Sequence, residues 1–223
     1  RTYGYFSGSM LSSKGVKADD KELAILGDAA KALRPEMLDG TYELPVSDGS
    51  GRDRKMLRKA VDLLSQAGWA ITDAGLVNAG GEQFPFTISV QNKDQEKIAL
   101  HYQRTLQTIG IKAEVRVVDS AQFAAIQTSY DYDMIPATWF NSLSPGNEQK
   151  LYFGSSGRST DGTRNYPGIA DPNVDRVMDA MLTATTREEF HAAVRAEDRL
   201  LVSGFYIVPF YDAGGQWVAR WNY

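Results

Sequence analysis

The sequence predicts an α/β fold, and three consecutive stretches carry that prediction. Phe84, Phe86, Ile88 and Val90 alternate with Pro85, Thr87, Ser89 and Gln91, the two-residue period of a strand with one buried face. "DQEKIALHYQRTLQTIG" then places Ile98, Tyr102, Leu106 and Ile109 on one side of a helix that Gly110 closes. "IKAEVRVVD" returns to alternation, with Ile111, Ala113, Val115 and Val117 set against Lys112, Glu114 and Arg116. Strand, helix and strand in that order make a βαβ unit, whose strands pair in parallel.

The elements before this core are less regular. Residues 1–50 read as partly irregular loop and helix, opening on the aromatic, Gly/Ser-rich "RTYGYFSGSMLSSKG". "DDKELAILGDAAKALRPEML" follows, a helix with an acidic first turn, Leu23, Leu26 and Ala30 at helical spacing, and Pro35 as its end or kink. After the Gly/Pro/Asp-rich "DGTYELPVSDGSGRD", the segment "RKMLRKAVDLLSQAGW" puts Leu57, Ala60, Val61 and Leu64 on one stripe, with Gly68 as C-terminal cap.

Beyond the core, Ser120 is the expected N-cap of a short helix "SAQFAAIQTS", which leads to a third strand near "YDMIPATWF". Two further helices start at Asp171–Pro172 and at the capping-box pair Thr186 and Glu189. The end, "FYIVPFYDAGGQWVARW", reads as two strands around a Gly-Gly turn, with Pro209 holding the first to an edge or a bulge.

Composition narrows the function classes. The 223 residues are 43% hydrophobic and 23% charged, as in ordinary globular proteins. A net charge of -4 argues against a nucleic-acid surface, which normally shows a basic stripe. The densest basic run, "RDRKMLRK", opens a helix and reads as a solvated face. With no cysteine and two histidines, thiolate chemistry is excluded and a tight transition-metal site is disfavoured, so neither cofactor nor metal is expected. No apolar run reaches the roughly 18 residues of a membrane helix. The chain starts at Arg1 and stops on aromatic residues, which reads as a piece of a longer protein.

Groups for catalysis are scarce. "DGSG" (Asp48 to Gly51) and "GSSG" (Gly154 to Gly157) lack the spacing of a nucleophile elbow, a P-loop or a calcium loop, and read as turns. Asp131 and Asp133, two apart, read as strand-end carboxylates. What stands out is "TWFNSLSPGNEQKLYFGSSG", a polar and aromatic loop placed just after a strand, where α/β sheets gather ligands. Trp139 and Phe140 offer rigid apolar walls, and Asn141, Ser142, Ser144 and Asn147 offer neutral hydrogen-bonding groups. Leu143 lies among them, and Glu148 is placed to pair with a cationic group. The same residues also allow a plainer reading: Trp139 caps the core, and "SPGNE" starts a helix with Ser144 as N-cap and Pro145 at its first position.

At this loop the chain acquires a resemblance. "YDMIPATWFNSLSPGNEQKLYFGS", with the upstream "LPVSDGSGRDRKMLRKAVDLLSQAGW", resembles the family 5 extracellular solute-binding proteins, the peptide-binding components of bacterial ABC importers. "SLSPGNEQ" and the opening "RTYGYFSGSMLSSKG" resemble most the branch of oligopeptide and microcin C binders. The motifs run along most of the chain in the family's order. The resemblance implies a type II periplasmic-binding-protein-like lobe, with a mixed sheet around a parallel βαβ core and flanking helices. Residues 1–223 would be a single lobe, the second of a two-lobed clamp.

The resemblance further implies a non-enzymatic, monomeric periplasmic protein, exported on a signal peptide, that binds oligopeptide between its lobes and delivers it to an inner-membrane permease. Typical members place an Asp shortly after the loop tryptophan to hold the peptide's α-amino group. Here Asn141 and Ser142 occupy that place, and Glu148 is the next acid. A sensor module on the same fold, or a hydrolase using Ser142, Ser144 or Ser155, are the alternatives; the latter finds no histidine partner in the sequence.

Overall fold

The computed structural model describes residues 3–211. Along them run α1 (Asp20–Leu26), a 3-10 turn (Gly27–Ala32), α2 (Pro35–Asp39), α3 (Arg54–Gln66), β1 (Ala70–Thr72), β2 (Gly75–Val77) and β3 (Pro85–Val90). There follow α4 (Lys93–Gln107), β4 (Lys112–Val117), α5 (Ser120–Ser129), α6 (Glu148–Phe153), a second 3-10 turn (Ser155–Ser159), α7 (Pro172–Thr183) and α8 (Arg187–Ser203). They gather into two compact units. Pro45–Thr138 forms one; the chain up to Leu44 and from Trp139 onward forms the other.

The central unit is built on the expected βαβ arrangement. β3 and β4 pair in parallel from Pro85↔Lys112 to Val90↔Val117. Leu76, Ile88, Val90, Ala99, Leu106, Ile109, Ile111 and Ala113 form its core, against which the α3 stripe of Leu57, Ala60, Val61 and Leu64 packs. The buried arc of α4 is rotated from the expected one: Ala99 is buried, while Ile98 stays 44% exposed. Gln103 explains part of the rotation, since its Nε2 donates to the Ala113 carbonyl at 2.7 Å and turns that side of the helix toward β4.

The expected third strand is reduced to one parallel bridge, Ile88↔Met134. Asp133 substitutes for the rest of the ladder. Its Oδ2 accepts from Thr87 N at 2.9 Å, and Pro136 two residues beyond Met134 has no N–H to extend the pairing. A short antiparallel hairpin, β1 with β2, was not anticipated from the sequence. It joins the end of α4 where Leu76 N donates to the Gly110 carbonyl at 2.8 Å. Gly110 is required there twice over. Its φ is +80°, and a Cβ would stand 2.9 Å from Leu76 N.

Helix caps divide between expectation and correction. Asp171 with Pro172 starts α7, and Thr186 with Glu189 closes a full capping box on α8. Gly68 and Gly110 lie just past α3 and α4 with positive φ. Ser120, in contrast, is inside α5; the cap is Asp119, whose carboxylate accepts from Gln122 N at 2.8 Å. Pro35 begins α2 as well as ending the preceding turn. No strand forms over 205–211, and the second expected C-terminal strand lies outside the described residues.

In the other unit α8 is the central element, packing on α7, α1 and α2. Tyr3, Leu26, Met37, Phe153, Ile169, Val174, Val177, Met178, Ala196 and Leu201 are among its core. Hydrophobic spacing predicts Leu23 toward that core, but Leu23 is 38% exposed and Glu22 is fully buried. The reason is electrostatic: Glu22 accepts from the guanidinium groups of Arg195 and Arg199 on α8. Arg199 also donates to the Met37 carbonyl and, at 2.7 Å, to the Val16 carbonyl. Next to it, Asp198 collects Ser13 N at 2.8 Å, Ser13 Oγ at 2.7 Å and Tyr5 N at 3.1 Å. Two neighbouring side chains of α8 thus hold the irregular opening segment, which joins no sheet among the described residues. Gly4 permits the approach, because a Cβ there would stand 2.6 Å from Asp198 Oδ1.

Removing one partner strands a buried charge, so Arg199→Ala is expected to cost about 3–5 kcal/mol in denaturant unfolding. Lys31→Ala, which breaks the exposed pair with Asp28, is expected to change nothing measurable.

Candidate functional site

The loop from Trp139 to Asn147 belongs to the unit built around α8. The structure separates its two aromatic residues. Trp139 turns inward, its Nε1 donating to the Arg164 carbonyl at 3.1 Å. Its ring meets Tyr5, Phe153 and Tyr166 at centroid distances of 6.1, 6.0 and 5.6 Å. Asn165, fully buried, fixes the carbonyls of Gly154 and Ile169 and so sets the segment on which the indole rests. Phe140 points the other way and is 77% exposed.

Asn141 is used at both ends. Its Nδ2 donates to the Tyr5 carbonyl at 3.0 Å, and its Oδ1 accepts from Gln149 Nε2 at 3.0 Å. Ser142 Oγ accepts from Ser144 N at 3.0 Å and forms the tip of the turn, where Leu143 is 68% exposed and Ser144 is exposed as well. Pro145 is buried. Glu148 Oε1 then reaches back to accept from Gly146 N at 2.9 Å. That contact corrects the expected helix start: the turn closes on Glu148, so the cap of α6 is Asn147 rather than Ser144, and Pro145 lies outside the helix. Asn147 makes no side-chain cap bond and is exposed.

The eight loop residues therefore fall into two groups. Trp139, Asn141 and Glu148 fasten the loop from behind. Phe140, Ser142, Leu143, Ser144 and Asn147 present a mixed apolar and neutral polar face. Tyr5 and Gln149, which the sequence reading did not select, are part of the fastening. The aromatic character of the opening segment was the only signal for Tyr5, and nothing local marks Gln149.

The unit around α8 also buries two neighbouring acids, Glu197 and Asp198. Burial pushes the carboxyl of Glu197 up to about 8, with the charges of Asp198 and Glu148 adding to the effect. Burial also raises Asp198, against the lowering pull of Ser13 and Tyr5. Among the described residues no group of three or more His, Cys, Asp or Glu is arranged to hold a metal. The sequence-selected turns are turns: Asp48 Oδ1 accepts from Ser50 N at 2.9 Å, and Gly154–Gly157 leads into a 3-10 turn with Ser155 N donating to Asp175. Ser142, Ser144 and Ser155 have no hydrogen bond to a histidine among the described residues. Among the described residues these serines therefore form no nucleophile–base pair.

The two groups predict different stability effects. Trp139→Ala is expected to cost about 3 kcal/mol in thermal or denaturant unfolding. Phe140→Ala and Leu143→Ala are expected to stay within about 0.5 kcal/mol of the parent chain.

Comparison with known proteins places this loop in context. The family model described as bacterial extracellular solute-binding proteins, family 5 Middle, matches residues 23–161. Over all 223 residues the chain is 50% identical to the peptidoglycan-binding protein YepA of Agrobacterium fabrum, and 34% identical to the probable peptide-binding protein YejA of the same organism. It covers 36% of each of these relatives, so it spans about a third of their length. The fold is similar to that of the oligopeptide-binding protein AppA from Bacillus subtilis, solved in complex with a nonapeptide. There the TM-score is 0.59 at 20% identity, over 88% of this chain and 39% of that one. No helix among the described residues is long and apolar enough to cross a membrane. With a family match over more than half of its length and mixed α/β units of similar fold, the chain belongs to the family 5 extracellular solute-binding proteins, a family of binding proteins rather than enzymes.

Proposed function

We propose that residues 1–223 are the second, type II lobe of a periplasmic substrate-binding protein that captures oligopeptides, or peptide-like compounds, for an ABC importer. One observation carries this reading. A loop fastened from behind by Trp139, Asn141 and Glu148 holds Phe140 and Leu143 out in solvent at 77% and 68% exposure, beside Ser142, Ser144 and Asn147. Exposed apolar side chains on a fixed loop suit contact with ligand side chains, and neutral hydroxyl and amide groups suit peptide N–H and C=O. The absence of a charge at the tip favours tolerance of varied sequences.

The relatives support the same ligand class. One half-identical relative bears a peptidoglycan-binding name and another a probable peptide-binding name. The peptide stems of cell-wall fragments are peptide-like compounds, so both names agree with one recognition chemistry. In this reading Asn141 is spent on Tyr5 and Gln149, and Glu148, whose Oε1 is held by Gly146 N, turns its Oε2 to the ligand's cationic group. The remaining ligand contacts come from the other lobe, and hinge closure brings the two together. The partner after capture is the inner-membrane permease, and the working form is a monomer in the periplasm.

Calorimetry on the full-length protein with defined peptides and peptide-bearing wall fragments tests the reading. Phe140→Ala and Leu143→Ala are each expected to weaken binding about tenfold without lowering the melting temperature. The 223-residue chain alone is expected to bind at least about a hundredfold more weakly, since half the burial is lost. Micromolar binding by that chain, or full-length affinity indifferent to both substitutions, would count against the assignment.

A further inference from the structure

Helix α6 starts on an acid with one open oxygen, and the same helix carries a cation that has no anion of its own. Glu148 Oε1 accepts from Gly146 N at 2.9 Å and from Gln149 Nε2 at 3.3 Å, while no donor among the described residues meets Oε2. Tyr152 follows four residues later on α6, so it lies on the same side of the helix, about 6 Å further along. Over its ring stands the guanidinium of Arg164, 5.9 Å from the centroid.

Arg164 is tied to the loop through its backbone. Its carbonyl accepts from Nε1 of Trp139, the first loop residue, at 3.1 Å, and its N donates to the Leu151 carbonyl of α6 at 3.0 Å. The residues on either side are fixed as well. Thr163 Oγ1 donates to the Gly157 carbonyl at 2.8 Å, and Asn165, fully buried, holds the carbonyls of Gly154 and Ile169. The loop, α6 and the root of Arg164 therefore belong to one hydrogen-bonded frame. A side chain rooted in such a frame and stacked on a ring gives up little further freedom when it binds.

The charge of Arg164 is unspent. Arg195 and Arg199 are held by Glu22, Arg176 by the carbonyls of Ile25 and Leu26, and Lys150 by Asp179. Arg164 is exposed and forms no ion pair among the described residues. It does not close on Glu148, so two opposite charges attach to one side of α6 without neutralising each other. Stacking occupies a face of the guanidinium and leaves its edge N–H groups free, and that edge matches a carboxylate in bidentate fashion.

We propose that Arg164 is the carboxylate anchor of the loop site: the guanidinium laid on Tyr152 takes a carboxylate of the ligand edge-on, while Glu148 takes its cationic group. The inference rests on the reading of this loop as a peptide site and adds the ligand's charge pattern, a zwitterion in preference to a blocked peptide. A peptide carries carboxylates at its C-terminus and on acidic side chains, and the two sources share this chemistry.

Calorimetry on the full-length protein tests the anchor with the peptide Ala-Ala-Glu-Ala, its C-terminal amide, and Ala-Ala-Gln-Ala. Wild type is expected to bind the first about tenfold more tightly than whichever of the others lacks the anchored carboxylate, and that peptide identifies the source. Arg164→Gln is expected to lose about tenfold for Ala-Ala-Glu-Ala and to bind all the peptides alike, with an unchanged melting temperature. Arg164→Lys keeps the charge without the planar fork and is expected to recover part of the preference. Equal wild-type affinity for all the peptides would overturn the anchor and leave the peptide reading intact. So would a carboxylate preference that survives in Arg164→Gln, because another group would then hold the anion. A loss in Arg164→Gln by the same factor for every peptide would mark a structural role and also overturn it. Binding of none of them by wild type would instead fail the peptide reading, and the anchor with it. If Arg164→Gln does not fold, Arg164→Lys decides the matter by the same comparison.

Discussion

The unit that carries the loop depends on the buried charge along α8. Arg199, Asp198 and Glu22 lie in an interior where charge is tolerated only when paired and hydrogen-bonded. Arg199 distributes its donors to Glu22, Met37 and Val16, three points on α1, α2 and the opening segment. Asp198 takes the backbone of Tyr5 and Ser13. A long irregular segment can stay ordered because the helix supplies partners for its backbone. Everything the opening segment then contributes, including the Tyr5 carbonyl that holds Asn141, follows from that anchoring.

The loop repeats the principle on a smaller scale. Its polar residues are chiefly occupied with one another, and that occupation lets it present two large apolar side chains to solvent without collapsing. Exposed Phe140 and Leu143 are costly on a mobile segment and useful on a fixed one. The fastening and the presented face are separable in chemistry, although they alternate along the chain. Glu148 sits where the two meet.

The α3 stripe, β3, β4 and the capping box at Thr186 were legible in the sequence because their signals are local. Period, spacing and a cap lie within a few residues of one another. The corrections share a different cause. Asp119 displaced Ser120 as a cap because a carboxylate one residue earlier reaches Gln122 N. Glu148 displaced Ser144 as the start of α6 because it captures Gly146 N. The strand near Met134 shrank to a bridge because Asp133 took a ladder position with its side chain. In each case a competing polar group won by a contact of a few residues or across the sheet.

The sequence by itself determined the α/β class, most helix positions, the exclusion of thiolate chemistry, and the family, whose motif order survives in a single chain. Tertiary structure decided which side chains face in. Hydrophobic spacing favoured Leu23, yet Glu22 is the buried residue, because its partners on α8 are 173 and 177 positions away. Sequence also offered Trp139 and Phe140 as a pair, and only packing against Tyr5, Phe153 and Tyr166 turned one inward and left the other exposed. Burial of polar and charged groups is settled by partners distant in the chain, so no local pattern can announce it.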